Sequence, residues 1–188
     1  MFRKIIFLIT FALVYTSGSL LALVEPVIIA TASVATQPVV SVVPAWLTLF
    51  PEGLLDAELK PVDVAALDNK IVGIYFSAHW CNPCQAFTPK LVEFRNANRN
   101  AFEVVFVSSD ENEDDKKAYM KNTKMEWLTI KWGSPIVEKL KRRYSIEGIP
   151  TLIIVGPDGR TISEEGRDEV ENNASGAIAA WKVRTRLR

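Results

Sequence analysis

Two cysteines lie three residues apart at a point where one local pattern gives way to another, and this pair constrains the chain more than any other feature. Before them Ile71, Val72, Gly73, Ile74, Tyr75 and Phe76 form an unbroken apolar run, too short for an isolated helix and rich in strand formers. After them Phe87, Leu91 and Phe94 recur at helical spacing. The pattern predicts a buried strand that passes through Ser77, Ala78, His79 and Trp80 into a helix starting at Cys81. One helical turn brings the sulfurs of Cys81 and Cys84 within reach of a single disulfide. Cys81 falls where unpaired N–H groups and the helix dipole favour thiolate over thiol, which makes it the expected nucleophile. Cys84, one turn inside, is the thiol expected to attack the resulting mixed disulfide and release the partner.

Other uses of the pair meet physical objections. A purely structural disulfide closing so short a loop constrains the unfolded chain little. Zinc requires two further ligands, and the sequence offers no third cysteine and only one histidine, His79. Copper held by His79, Cys81 and Cys84 has soft sulfur ligands but nothing on that segment to complete its geometry. No metal is expected, and no organic cofactor, because a dithiol carries two electrons itself.

The remaining pattern alternates. A second strand is predicted over Phe102 to Val107, followed by Ser108, Ser109 and the acidic stretch from Asp110 to Asp115, read as a helix start running to about Lys121. Ser134 and Pro135 open another helix, with Ile136, Val137, Leu140 and Tyr144 on one face and Lys139, Lys141, Arg142 and Arg143 on the wet side. Leu152 to Val155 is a third strand, turned by Pro157, Asp158 and Gly159 into Arg160 to Ser163 as an antiparallel hairpin. A terminal helix over Ala174 to Trp181 and a basic tail of Arg184, Arg186 and Arg188 complete the chain, while Trp46 to Leu67 reads as a leading strand and a short turn or helix. Strands alternating with helices and ending in a hairpin indicate an α/β layer fold with a mixed sheet.

Charge separates this part from the amino-terminal one. The chain has 22 basic and 22 acidic residues, so the basic excess of a phosphate-neutralising nucleic-acid binder is missing. Residues 1 to 45 hold only Arg3, Lys4 and Glu25. Arg3 and Lys4 precede twenty uncharged residues, Ile5 to Val24, with small residues at Thr16, Ser17, Gly18 and Ser19. Residues 1–22 are read as a secretory signal, with an uncleaved membrane anchor as the rival, and 23–45, with prolines at 26, 38 and 44, as an extended linker. Both readings export the remainder, residues 46–188, to a periplasmic or other extracytoplasmic location.

Trp80-Cys-Asn-Pro-Cys84, Pro89, and Gly148-Ile-Pro-Thr151 ahead of an apolar strand together resemble the thioredoxin superfamily. Val72 to Cys81, Phe87-Thr-Pro-Lys-Leu91, Val105 to Asp110 and Met125-Glu-Trp-Leu128 are most similar to its tryparedoxin and nucleoredoxin branch, over roughly residues 50 to 181. The resemblance implies a three-layer α/β/α sandwich with a mixed central sheet. It implies that Pro150 is cis, leaving the Ile149 backbone to pair with an extended substrate, that Trp80 forms an apolar wall beside Cys81, and that Pro89 kinks the helix. The branch usually has two prolines between its cysteines; Asn82 with Pro83 restores an N–H donor near Cys81. Tyr75 occupies the place where thioredoxins carry a buried aspartate, and a phenol is a poor base at neutral pH. His79 would raise the thiolate fraction of Cys81 when protonated, but two residues along an extended chain it points away.

The expected function is thiol-disulfide exchange with protein or peptide thiols and disulfides, in the reducing direction, fed by an unidentified electron donor or acceptor. No nucleic-acid partner is expected, and contact with a membrane only through an uncleaved amino-terminal segment. The alternative is a non-catalytic peptide-binding or chaperone module using the Pro150 groove.

Overall fold

The computed structural model describes residues 45–187. The leader or anchor read in residues 1–22, nearly all of the 23–45 linker, and Arg188 lie outside the described residues. Ala45, assigned to the linker by its sequence, is the first residue of a short helix, α1 (Ala45–Leu49), which buries Trp46 and Leu49. Among the described residues no helix is long and apolar enough to cross a membrane.

After α1 come β1 (Leu54–Leu55), β2 (Pro61–Val62) and a 3₁₀ turn (Val64–Leu67). The apolar run forms β3 (Ile71–Ser77), buried at every residue, and leads into α2 (Asn82–Ala97). Then follow β4 (Phe102–Ser108), α3 (Glu113–Asn122), β5 (Leu128–Thr129), α4 (Ile136–Arg143), β6 (Thr151–Val155), β7 (Thr161–Ser163) and α5 (Gly166–Arg186). The strands make one sheet in the order β2-β1-β5-β4-β3-β6-β7. β3 runs parallel to β4, and β4 to β5, whereas β6 and β7 are antiparallel additions on the other side of β3. This is the expected mixed α/β sheet, with its parallel strands at the centre.

Strand pleating divides the core in two. Val72, Ile74 and Phe76 face a cluster with Trp46, Leu49, Ile136 and Leu140, so α1 and α4 cover that side. Ile71 and Tyr75 face Phe87, Leu91, Tyr119 and Trp181, so α2, α3 and α5 cover the other. A strand covered on both faces reads as continuous rather than alternating apolar sequence, which is why 71–76 shows no polar residue apart from the phenol of Tyr75. Gly73 is closely enclosed: a Cβ there would lie 2.8 Å from Phe102 and 2.9 Å from Leu152.

Three elements differ from expectation. The region before β3 holds a helix and a two-strand ribbon in place of the single leading strand, followed by the expected short turn, a 3₁₀ one. α3 is capped by Asn112, whose side chain accepts the Asp115 N–H at 2.8 Å, so its first acidic turn is Glu113 to Asp115 and Asp110 lies outside the helix. α5 begins at Gly166, eight residues before the expected start, because the chain is helical on both sides of Asn173, itself non-helical at φ −149° and ψ 49°.

The far end of the helical layer is locked by aromatic packing. Trp181 is fully buried, with ring centroids 5.6 Å from Phe94 and 5.4 Å from Phe102, and its Nε1 donates to Glu169 at 2.6 Å. Trp181→Ala is expected to lower unfolding free energy by about 3–5 kcal/mol, read as a shift of the urea midpoint.

Candidate active site

Cys81 is the N-cap of α2, with extended backbone at φ −90° and ψ 105°. Asn82 and Pro83 follow as the first helical residues, and since Pro83 has no N–H, the Cys84 N–H is the donor that reaches the Cys81 sulfur, at 3.3 Å. The N–H that Asn82 contributes is not the one bonded to that sulfur. Cys81 and Cys84 are joined as a disulfide with Cα atoms 5.2 Å apart. Cys81 keeps 7% of its surface exposed and Cys84 none, so Cys81 is the outer member of the pair. Opening the disulfide leaves that sulfur at a helix N-terminus against a backbone donor, an arrangement that favours the thiolate.

The Ile149–Pro150 peptide is cis, and the Ile149 carbonyl oxygen lies 3.6 Å from the Cys81 sulfur. Trp80 stands beside the pair, 54% exposed, its Nε1 donating to the Ser109 carbonyl at 3.4 Å. Cys81, Trp80, Ile149 and Pro150 are thus brought together on one face. Pro89 lies inside α2 and removes one intrahelical hydrogen bond there.

Tyr75 is buried beneath Cys84 among hydroxyls. Thr88 Oγ1 donates to the Cys84 carbonyl at 2.8 Å and lies 2.8 Å from Tyr75 Oη and 2.7 Å from Tyr119 Oη. A threonine hydroxyl has one hydrogen, so with that hydrogen on Cys84 both phenols must donate to Thr88, and Ser77 Oγ, 3.2 Å from Tyr119, donates to Tyr119. Burial, reinforced by Tyr119, pushes the Tyr75 phenol well above its ordinary value. Tyr75 is therefore a fixed donor that secures the first turns of α2 to the sheet, not a base.

His79 is turned toward the loop after β4. Its Nδ1 lies 2.8 Å from Asp110 Oδ1, which also accepts the His79 backbone N–H at 2.7 Å, while Asp110 Oδ2 accepts from Ser108 Oγ at 2.7 Å. The Asp110 side chain is wholly buried, whereas 41% of the His79 side chain is exposed. Gln85 donates to the His79 carbonyl. The ring thus braces the segment leading into Cys81. Asp110, Thr88 and Tyr119 are residues bracing the candidate site whose part in it the sequence did not reveal. Along the chain Asp110 looks like part of an acidic helix start, and no spacing connects it to His79, 31 residues away.

Lys116, on α3, is fully buried, and its Nζ donates to the Ile130 carbonyl at 2.5 Å. Among the described residues no three His, Cys, Asp or Glu side chains are grouped to hold a metal ion.

A thioredoxin-like family profile matches residues 69–161, spanning the cysteine pair and the cis-proline. Tryparedoxin of Trypanosoma brucei brucei is 40% identical over 124 residues, which is 64% of this chain and 85% of that one. The chain belongs to the thioredoxin-like family. Nucleoredoxin of Bos taurus is also 40% identical over 124 residues, 64% of this chain but 28% of its own length, so this thioredoxin-like chain matches about a quarter of that longer protein. Among solved structures, tryparedoxin II complexed with glutathionylspermidine superposes with a TM-score of 0.65 at 32% identity, covering 70% of this chain and 94% of that one. These likenesses agree with the tryparedoxin and nucleoredoxin resemblance seen in the motifs and with the thioredoxin-like architecture of the sheet.

Burial lowers the Lys116 pKa from 10.5 to about 8 despite the opposing charges of Glu113 and Asp110. Between those two values the unfolded chain binds more protons than the folded one, so stability rises with pH through that window and the charged form weighs against the fold below it. In the disulfide form, stability relative to Lys116→Met is expected to rise by about 2 kcal/mol between about pH 7.5 and 9.5, measured by urea unfolding at each pH.

Proposed function

We propose that this chain is a thiol-disulfide oxidoreductase that reduces disulfides in protein or peptide substrates, with Cys81 as nucleophile and Cys84 as resolving thiol. The observation that supports this most directly is the asymmetry of the pair: an outer cysteine that caps a helix and keeps a small exposed surface, and a fully buried one a turn inside it. In the reduced protein the Cys81 thiolate attacks one sulfur of the substrate disulfide. A new S–S bond forms, and the other substrate sulfur leaves as a thiolate that takes up a proton. Cys84, having lost its proton to water or to the departing thiolate, attacks Cys81 Sγ, closes the internal disulfide and expels the second substrate thiol. Two electrons have then moved from the pair to the substrate, and a separate donor, one dithiol or two monothiols, must restore them.

Trp80, Ile149 and Pro150 are the substrate-binding residues of this reading. Trp80 supplies an apolar wall, and the Ile149 backbone pairs with an extended segment as an added strand would. Pro83, lacking an N–H, leaves donation at the sulfur to Cys84, with Asn82 the flanking residue that tunes the helix start, while Tyr75 and His79 position the surrounding chain without exchanging protons with the substrate. The neighbour complexed with glutathionylspermidine supports a low-molecular-mass thiol as the class of donor. No organic cofactor enters the cycle. Reduction as the favoured direction rests on likeness to thioredoxin and tryparedoxin, and corresponds to a reduction potential near about −270 mV, not near about −120 mV. Export of this chemistry from the cytoplasm rests only on reading residues 1–22 as a secretory signal or membrane anchor, and fractionation of the native host tests it directly.

With dithiothreitol as donor, the wild type is expected to reduce insulin disulfides and Cys81→Ser to abolish turnover. Cys84→Ser is expected to accumulate a mixed disulfide with the substrate, visible as a mass increase reversed by excess thiol. A wild type inert toward insulin with every dithiol donor would instead favour a peptide-binding module built on the same groove.

A further inference from the structure

Two tryptophans stand exposed on loops, Trp80 beside the disulfide at 54% and Trp132 after β5 at 39%. Both are tethered to one short stretch of backbone. Trp80 Nε1 donates to the Ser109 carbonyl at 3.4 Å, and Trp132 Nε1 to the Asp110 carbonyl, the next in the chain, at 3.2 Å. The same loop is held to the segment before Cys81 by the buried Asp110 carboxylate and its two bonds from His79. Trp132 borders a cleft of about 340 Å³, lined also by Ser109, Asp110, Pro135, Val137 and Lys141. That volume sits at the lower end of the roughly 300–1,000 Å³ typical of ligand sites, so it suits one large side chain rather than a protein face.

We propose that Trp132 and this cleft form a specificity subsite for an aromatic or large aliphatic side chain of an extended peptide substrate, continuous with the Trp80 wall beside Cys81. The subsite rests on the disulfide-exchange reading. An occupant that presents a disulfide to Cys81 and also fills the cleft has to cross the Ser109–Asp110 loop, which a peptide chain does and a single small thiol does not. Held indoles are well matched to such an occupant, because a large ring already fixed by a hydrogen bond loses little conformational freedom on binding, and aromatic residues of this kind dominate binding energy at protein contacts. Among the described residues the other exposed large apolar side chains, Leu47, Val183 and Leu187, lie on α1 and at the end of α5.

The test uses two disulfide-bonded peptides that differ only in carrying phenylalanine or alanine at the positions flanking one cysteine. Selectivity is the ratio of their kcat/KM values within one protein, so a general loss of activity cancels. The wild type is expected to favour the phenylalanine peptide by roughly five- to tenfold, expressed in KM, with Trp132→Ala bringing the ratio to about one and Trp132→Phe retaining most of it. A wild-type ratio near one, or a ratio unchanged in Trp132→Ala, overturns the subsite. A wild type that reduces neither peptide overturns the exchange reading itself, a result distinguishable from loss of selectivity.

Discussion

The parallel pairing of β3 with β4, with Ser77 beside Ser108, is the constraint on which the thiol face depends. Because both strands end at the same level, the chain leading to Cys81 and the chain leading to α3 leave the sheet side by side. Residues two places further on then meet, and the meeting is sealed by the Asp110 carboxylate, which accepts both the backbone and the ring N–H of His79. A buried carboxylate is tolerated only when its acceptor capacity is used, and here three donors use it. The bond that satisfies Asp110 therefore also fixes the approach to Cys81. Trp80 and Trp132 hang on the carbonyls of the same loop, so the register of two strands reaches the outer walls of the site.

Below the disulfide a second network does for α2 what Asp110 does for its loop. Thr88 takes the hydrogens of Tyr75 and Tyr119 and passes its own to the Cys84 carbonyl, linking β3, α2 and α3 through hydroxyls that are all internally satisfied. This network explains how a tyrosine can occupy a position next to the inner cysteine without acting as a base. Its phenol is desolvated, and its hydrogen is committed to Thr88. In the proposed exchange Tyr75 therefore supplies no base for the inner thiol, and the thiolate leaving from the substrate serves as the acceptor in the resolving step.

Much of the fold was legible because burial on both faces leaves an unmistakable sequence pattern. β3, β4 and β6 read as continuous apolar runs, α4 showed its one-sided apolar face, and the Pro157-Asp158-Gly159 turn announced the final hairpin. Less legible were elements whose formation depends on neighbours. β1, β2 and β5 are two-residue strands, too short to carry a period, and exist because their edges pair. The first segment of α5 begins at a glycine and carries many polar residues, so its helical character rests on packing of Val170 rather than on propensity. Within the site, Cys81, Cys84 and Pro150 were evident because their spacing and context are local. Asp110, Thr88 and Tyr119 were not, since their significance comes from partners brought near by the sheet.

The sequence by itself determined that the chain builds a layered α/β domain with a dithiol at a strand-to-helix junction, because strand burial, helix periodicity and the two-residue gap between cysteines are all set by neighbours along the chain. The tertiary structure decided what surrounds that dithiol. It made His79 a brace rather than a partner of the thiol, Tyr75 a donor rather than a base, and the Ser109–Asp110 loop the common anchor of two exposed indoles. Each of these outcomes depends on hydrogen bonds between residues distant in sequence, whose pairing follows from strand register, and register is fixed only when the whole sheet has closed around its core.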